Sequence, residues 1–229
     1  MSKVKTFICT IPYQPKGETP EKDGLKPLRY EARGNAKLVY GETRFPIVPV
    51  INGYAEKGDR VRVLAILTEG DNFSYNYETY FVPEIAALAE KNGYAFEGIE
   101  IISSPDSEDI DTQLVLFADI ISRIGYNEEI HTCITYGTKP TPIVQFMALN
   151  YINELKKETP TDTPIKCVAY GRFLHNDYEG QGVGRIWDQT ALFYMNATVN
   201  ALAKNRAADP EKAIRIMLGL EAVEDSEDD

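Results

Sequence analysis

Short runs of apolar and β-branched residues alternate along this chain with segments of helical period, and that alternation narrows the fold more than any other feature of its 229 residues. Val4–Ile11 (VKTFICTI) stops at Pro12, and Arg60–Leu67 (RVRVLAIL), Ile99–Ile102, Glu129–Thr135 (EIHTCIT) and Ile165–Tyr170 (IKCVAY) repeat the pattern. Between them, Tyr80, Ile85, Leu88 and Ala89 recur at helical spacing up to the Asn92-Gly93 stop. A second helix starts at Ser107–Asp111, carries Leu114, Phe117, Ile120, Ile121 and Ile124 on one face and ends at Gly125; a third runs from Ile143 to Leu155. Thr43 is read as the cap of a helix from Phe45 to Glu56, with Pro46 and Pro49 in its first turn. The Gln14–Gly24 stretch reads as a mobile loop, Leu28–Glu31 as a short extended piece, and Trp187–Asn205 and Pro210–Leu220 as closing helices.

Strands that alternate with helices need crossover connections, which place helices on both faces of a parallel sheet. The predicted fold is therefore α/β: a Rossmann-like parallel sheet with helices on both faces over residues 1–205, a short C-terminal helical extension over 206–220, and an acidic, disordered tail over 221–229. The net charge is −11, and six acids lie in the last nine residues, so the body carries about −5. That balance excludes a protein that coats duplex nucleic acid through phosphate neutralisation. The short apolar stretch before Pro12 is too small for a secretory core, and no run approaches a membrane span, so a cytoplasmic protein with no membrane partner is expected.

In an open parallel sheet, ligands sit beyond the carboxyl ends of the strands where strand order reverses. This rule nominates four loops: Thr10-Ile11-Pro12-Tyr13, Thr68-Glu69-Gly70, Tyr136-Gly137-Thr138-Lys139-Pro140 and Gly171-Arg172. The third is the richest. Gly137 permits a close turn, Thr138 offers a hydroxyl, and Lys139 and Pro140 open a helix whose dipole and free amides suit an anion, most simply a phosphate. A plain strand-to-helix turn with a solvent-facing lysine serves the same spacing. No Walker loop or nucleophile elbow occurs. Gly180-Gln181-Gly182-Val183-Gly184-Arg185 lacks the βαβ context of a dinucleotide fingerprint and reads as a loop or hairpin tip. Cys9, Cys133 and Cys167 read as reduced core residues, His131 as packed and His175 as a surface residue. Asp106, Glu108, Asp109 and Asp111 read as a helix first turn, and neither a metal nor a cofactor is expected.

The FICTIP strand end, the loop Thr135-Tyr136-Gly137-Thr138-Lys139-Pro140, and Tyr170-Gly171-Arg172 followed by Trp187-Asp188-Gln189-Thr190 together resemble the CRISPR-associated Rossmann-fold (CARF) family. These domains sense cyclic oligoadenylates in type III CRISPR antiviral defence. The resemblance spans most of residues 3–205. Two positions depart from it: Cys133 stands where many relatives carry aspartate, and Tyr136 where the first loop glycine falls. The resemblance implies a homodimer whose sheet edges face a shared cleft, with cyclic tetra- or hexa-adenylate spanning both copies. It further implies that Lys139 stabilises charge and that Thr10 orients ribose or phosphate, the catalytic pair of a metal-independent ring nuclease. Thr10, Ile11, Pro12, Thr68, Tyr136, Gly137, Thr138, Lys139, Pro140 and Arg172 are then the ligand-binding set. The alternative is a non-catalytic sensor or adaptor that signals to, or sequesters the messenger from, a separate effector protein. A third reading is a Rossmann-like enzyme for a small nucleotide.

Overall fold

The computed structural model describes residues 3–19, 22–159, 161–174 and 183–220. Along the chain run β1 (Val4–Thr10), β2 (Leu28–Arg33), β3 (Glu42–Thr43), α1 (Ile47–Tyr54), β4 (Arg60–Thr68), α2 (Asp71–Asn76), a π-helical turn (Tyr77–Phe81) and α3 (Val82–Asn92). β5 (Ala95–Ser104), α4 (Ile110–Arg123), β6 (Glu128–Cys133), α5 (Pro140–Leu155), β7 (Ile165–Leu174), β8 (Val183–Asp188), α6 (Thr190–Lys204) and α7 (Pro210–Met217) follow. All eight strands form one sheet in the order β3-β2-β8-β7-β6-β1-β4-β5. From β7 to β5 every neighbouring pair is parallel, so the five apolar runs are the five strands of a Rossmann-like α/β core. Met1–Thr190 and Ala191–Asp229 are separate compact units, and the first carries the whole sheet. Among the described residues, no helix is long and apolar enough to cross a membrane.

Several local expectations change. Trp187 and Asp188 close β8 rather than open a helix. Trp187 pairs in register with Tyr170 and its ring stacks on that residue at 6.1 Å, while the Asp188 carboxylate accepts the Thr190 N–H (2.8 Å) and so sets the helix start. β7 runs four residues past Tyr170 because antiparallel β8 supplies it with a partner, and β8 in turn gives β2 its parallel partner. Thr43 is a strand residue whose hydroxyl donates to Glu84 (2.6 Å) and receives the Phe45 N–H (3.1 Å). The first helix therefore starts on Pro46 without a side-chain cap. The expected helix around Tyr80 contains a π turn, in which the Val82 N–H reaches the Tyr77 carbonyl. Pro83, without an N–H, sits in the first turn of α3, so the register change falls where a proline would otherwise break an α-helix. The described part of the Gln14–Gly24 loop is tied down. Asp23, 2% exposed, accepts bonds from the Gly17 N–H (2.6 Å) and from the hydroxyls of Tyr75 and Tyr80. His175, Gly180–Gly182 and the acidic tail lie outside the described residues.

The two faces of β1 divide the core. Phe7, Cys9 and Ile11 join a cluster with Val48 and Ile51 of α1 and Leu88 of α3, whereas Thr10 turns to Gln145 of α5. Cys9 and Cys133 are register partners on adjacent strands, and all three cysteines are buried and unpaired. Of the four acids expected in a helix first turn, only Asp111 lies there; Asp109 caps α4 by accepting the Thr112 N–H (2.9 Å), and Asp106 and Glu108 precede the helix.

His131 lies in this core at 1% exposure, stacked on Phe7 (4.6 Å) and against Tyr54 (4.7 Å), with neither ring nitrogen hydrogen-bonded. Burial pushes its pKa from 6.5 down to about 3. Below pH 6.5 the unfolded chain therefore binds a proton that the folded chain refuses, and this holds until about pH 3. Stability is unaffected by His131 above that window and falls as pH drops through it, with a slope approaching about 1.4 kcal/mol per pH unit. Urea unfolding at pH 7, 5.5 and 4.5 is expected to show this slope in the wild type and a shallower one, by that amount, in His131→Phe. Parallel slopes would refute the assignment.

Candidate functional site

Among the five parallel strands the order reverses at β1, with β4 and β5 on one side and β6 and β7 on the other, and the carboxyl ends of the strands at such a reversal are where a crevice is expected. A cleft of about 470 Å³ occupies this edge. Tyr13 from the β1 end, Thr68 from the β4 end and Asp106 beyond the β5 end line one side, and Thr135 to Thr138 after β6 line the other. The parallel crossovers bring these four strand ends together because each helix returns its chain to the opposite end of the sheet before the next strand begins.

The loop after β6 is built from contacts that require particular residues. The Thr135 hydroxyl accepts the Gly171 N–H (2.8 Å), tying the end of β6 to β7. A Cβ on Gly171 would meet Pro46 at 2.7 Å, so the start of α1 packs directly on this backbone. Tyr136 lines the cleft while its hydroxyl turns inward to Tyr30 and the Arg44 carbonyl (3.4 Å), and burial pushes its pKa up to about 12. The Tyr136 ring is thus an anchored wall. Gly137 has φ +108, and a Cβ there would meet that of Thr141 at 2.8 Å, so the turn demands glycine. Thr138 and Thr141 hydroxyls bond each other (3.1 Å) as the chain enters α5. Lys139 is the N-cap residue of this 16-residue helix and Pro140 its first residue. The ammonium is exposed and has no hydrogen bond or ion pair among the described residues.

The predicted residues are only partly gathered. Thr68, Tyr136, Gly137 and Thr138 line the cleft, and Lys139 and Pro140 continue the same loop. Thr10, 3% exposed, lies beneath it, with its hydroxyl accepting from Gln145 Nε2 (3.0 Å). Ile11 is fully buried and extends the ladder through its N–H to the Ile66 carbonyl (2.9 Å), and buried Pro12 gives its carbonyl to Asn76 (3.1 Å). Arg172 is exposed on β7 opposite Arg185 and is not among the residues that line the cleft. Sequence reasoning missed Phe73, which carries the Tyr13 ring at 5.3 Å, and Asp106. The strand-end rule that nominated four loops applies equally to the loop after β5, so Asp106 was within its reach. Phe73 carried no such signal.

Asp106 is the one charged residue among those described that line the cleft, so cationic character comes only from Lys139 at its rim and from the start of α5. Such a site can hold a phosphate at the loop and a flat apolar group near Tyr13 and Phe73. Among the described residues, no group of three or more His, Cys, Asp or Glu is placed to hold a metal. No protein-family model matches this sequence, and no curated protein is significantly similar to it.

Gly137→Ala is expected to destabilise the fold by about 1–3 kcal/mol, through its positive φ and the contact with Thr141. Denaturant unfolding should show a lower midpoint at unchanged slope. Lys139→Ala, a change at an exposed side chain, should leave the midpoint within about 0.5 kcal/mol of wild type.

Proposed function

We propose that this sheet edge binds a cyclic oligoadenylate in type III CRISPR defence, across the two-fold axis of a homodimer, and that the ring is cut in place. The observation that carries the reading is the loop after β6: a glycine-forced turn, the exposed Lys139 and the start of α5 converge beside a cleft at the strand-order reversal. Backbone amides and an ammonium at a helix start are the groups a phosphodiester needs. The aromatic pair Tyr13 and Phe73 in the same cleft supplies a face for a base.

A second copy is supported by the outer faces of α4 and α5, which pack against each other. Ile110 and Leu114, one turn apart on α4, and Ile143 and Met147, one turn apart on α5, are each more than half exposed. Self-complementary apolar stripes suit an isologous interface. Because α5 starts in the site loop, an axis through this face brings two copies of Lys139 toward one ligand and doubles a positive field that the acidic body lacks.

Cleavage then follows from holding the ring in line. A ribose 2′-hydroxyl gives up its proton to solvent as its oxygen attacks the adjacent phosphorus, the bond to the 5′-oxygen breaks and that oxygen takes a proton from solvent, so that a 2′,3′-cyclic phosphate and a free 5′-hydroxyl remain. The chain contributes positioning, and Lys139 offsets the charge that develops on the phosphoryl oxygens. No metal is required by this route. A second reading, binding without cleavage and signalling to or sequestering from a separate effector, is favoured by one observation: the Thr10 hydroxyl, cast as the partner of Lys139, is buried and engaged by Gln145.

Incubation with radiolabelled cyclic tetra- and hexa-adenylate separates these readings. Linear products ending in 2′,3′-cyclic phosphate, formed equally well in EDTA, are expected, with turnover lowered about 10- to 100-fold in Lys139→Ala. Tight binding with intact ligand leaves the sensor, and failure to bind either ring removes both readings. Light scattering is expected to give a dimeric mass that Ile143→Glu combined with Met147→Glu reduces to a monomer.

A further inference from the structure

We infer that Asp106 reads the exocyclic amine of a base seated on Tyr13, and so makes the cleft selective for a 6-aminopurine. This rests on the nucleotide-binding reading above and assigns its base end. Asp106 lines the cleft yet has no hydrogen bond or ion pair among the described residues, and it is not held there by a fold requirement of its own. Its turn is nonetheless fixed: the Ser107 N–H bonds the Pro105 carbonyl (2.9 Å), the Gln113 side chain bonds the Ser107 carbonyl (3.0 Å), and Asp109 caps α4. A carboxylate has acceptor atoms only. Asp106 is exposed, so water satisfies it in the free protein; a phosphodiester ring that covers the cleft displaces that water, has its phosphates repelled by the carboxylate, and must offer it a donor instead. A closed oligoadenylate ring has two kinds of donor, the ribose 2′-hydroxyl and the N6 amine.

The order of strands along the edge chooses between them. Passing from the phosphate-suited loop after β6, the edge presents the end of β1 with Tyr13, then β4 with Thr68, then β5 with Asp106. Three strand spacings, about 14 Å, separate the first from the last. A nucleotide presents its groups in matching sequence: phosphate, ribose, base, and finally the exocyclic edge. Tyr13 is 59% exposed, an unusual position for a tyrosine whose ring rests on Phe73, which is itself 8% exposed and held in α2. That ring is a platform ready to take a second aromatic face, and a base stacked there turns its amine toward β5. The negative charge at one end of the cleft and Lys139 at the other also orient the ligand, since reversal would place phosphate on carboxylate.

Equilibrium binding of cyclic oligoadenylate, of its inosinate analogue, which bears a carbonyl in place of the amine, and of its 2′-deoxy analogue tests this. Wild type is expected to bind the inosinate ring about 10- to 100-fold more weakly than the adenylate ring, the loss of one hydrogen bond to a charged group. Asp106→Ala is expected to bind adenylate about 10-fold more weakly, to lose the adenylate-over-inosinate preference and to keep whatever preference wild type has over the deoxy ring. Tyr13→Ala is expected to weaken adenylate and inosinate alike. Loss of the ribose preference instead of the amine preference in Asp106→Ala would overturn the assignment, as would adenylate affinity equal to wild type. If wild type binds no cyclic oligoadenylate, the function reading itself fails, and this inference with it. Melting midpoints of both variants, at exposed positions, are expected to match wild type and so exclude misfolding.

Discussion

The ladder that holds β1 between β4 and β6 is the interaction on which the rest depends. Seven consecutive residues of β1 pair in register with β4, and six with β6, with no bulge in either ladder. This leaves β1 with no free edge, and the helices packed above and below the sheet bury both of its faces. Phe7, Cys9 and Ile11 fill one side, and Ile8 and Thr10 are equally inaccessible on the other. The reversal of strand order at β1, with β4 and β5 on one side and β6 and β7 on the other, also places the crevice. A slip of one residue would exchange the faces, putting Thr10 among the apolar residues of the α1 side and Cys9 opposite Gln145.

Around that crevice, close backbone approach sets residue identity more than reactivity does. Gly171 is glycine because Pro46 rests on it, and Gly137 because the chain turns through positive φ against Thr141. Tyr136 gives the loop a wall that is pinned from below by Tyr30 and Arg44. Rigidity gained this way costs no charge, which suits a body whose acids outnumber its bases. The result is a cleft with the Gly137–Pro140 loop at one end, Asp106 at the other and the rings of Tyr13 and Phe73 between them.

The chain's own pattern made much of this legible. Five apolar runs became the five parallel strands, and the Gly137–Pro140 loop fell at the helix start where its residue types placed it. The edge of the sheet was less legible. VGRIWD has alternation too short to separate from a helix start, and Tyr170 and Trp187 are recognisable as cross-strand partners only once β7 and β8 lie side by side. β2 pairs with β8 across some 150 residues of chain, and no local signal records such a contact. Thr43 matched the chemistry of a helix cap, but pairing with Leu28 makes it a strand residue whose hydroxyl donates to Glu84, forty-one residues away. The reading of Thr10 as a ligand contact followed from its place at a strand end, whereas its direction depends on the face it occupies and on Gln145 across the core.

By itself, the sequence determined the alternation of strands and helices, the parallel sheet that alternation requires, and the glycine turn and lysine at one strand end. These are local properties, set by periodicity, steric limits on φ and the chemistry of helix starts. The tertiary structure alone decided which strand ends share a cleft, that Thr10 lies beneath it while Asp106 and Phe73 line it, and that Arg172 stands apart. Those outcomes depend on strand order and on which face of each strand is covered. Both are fixed by burying one continuous core, in which each side chain's direction depends on residues far away in the chain.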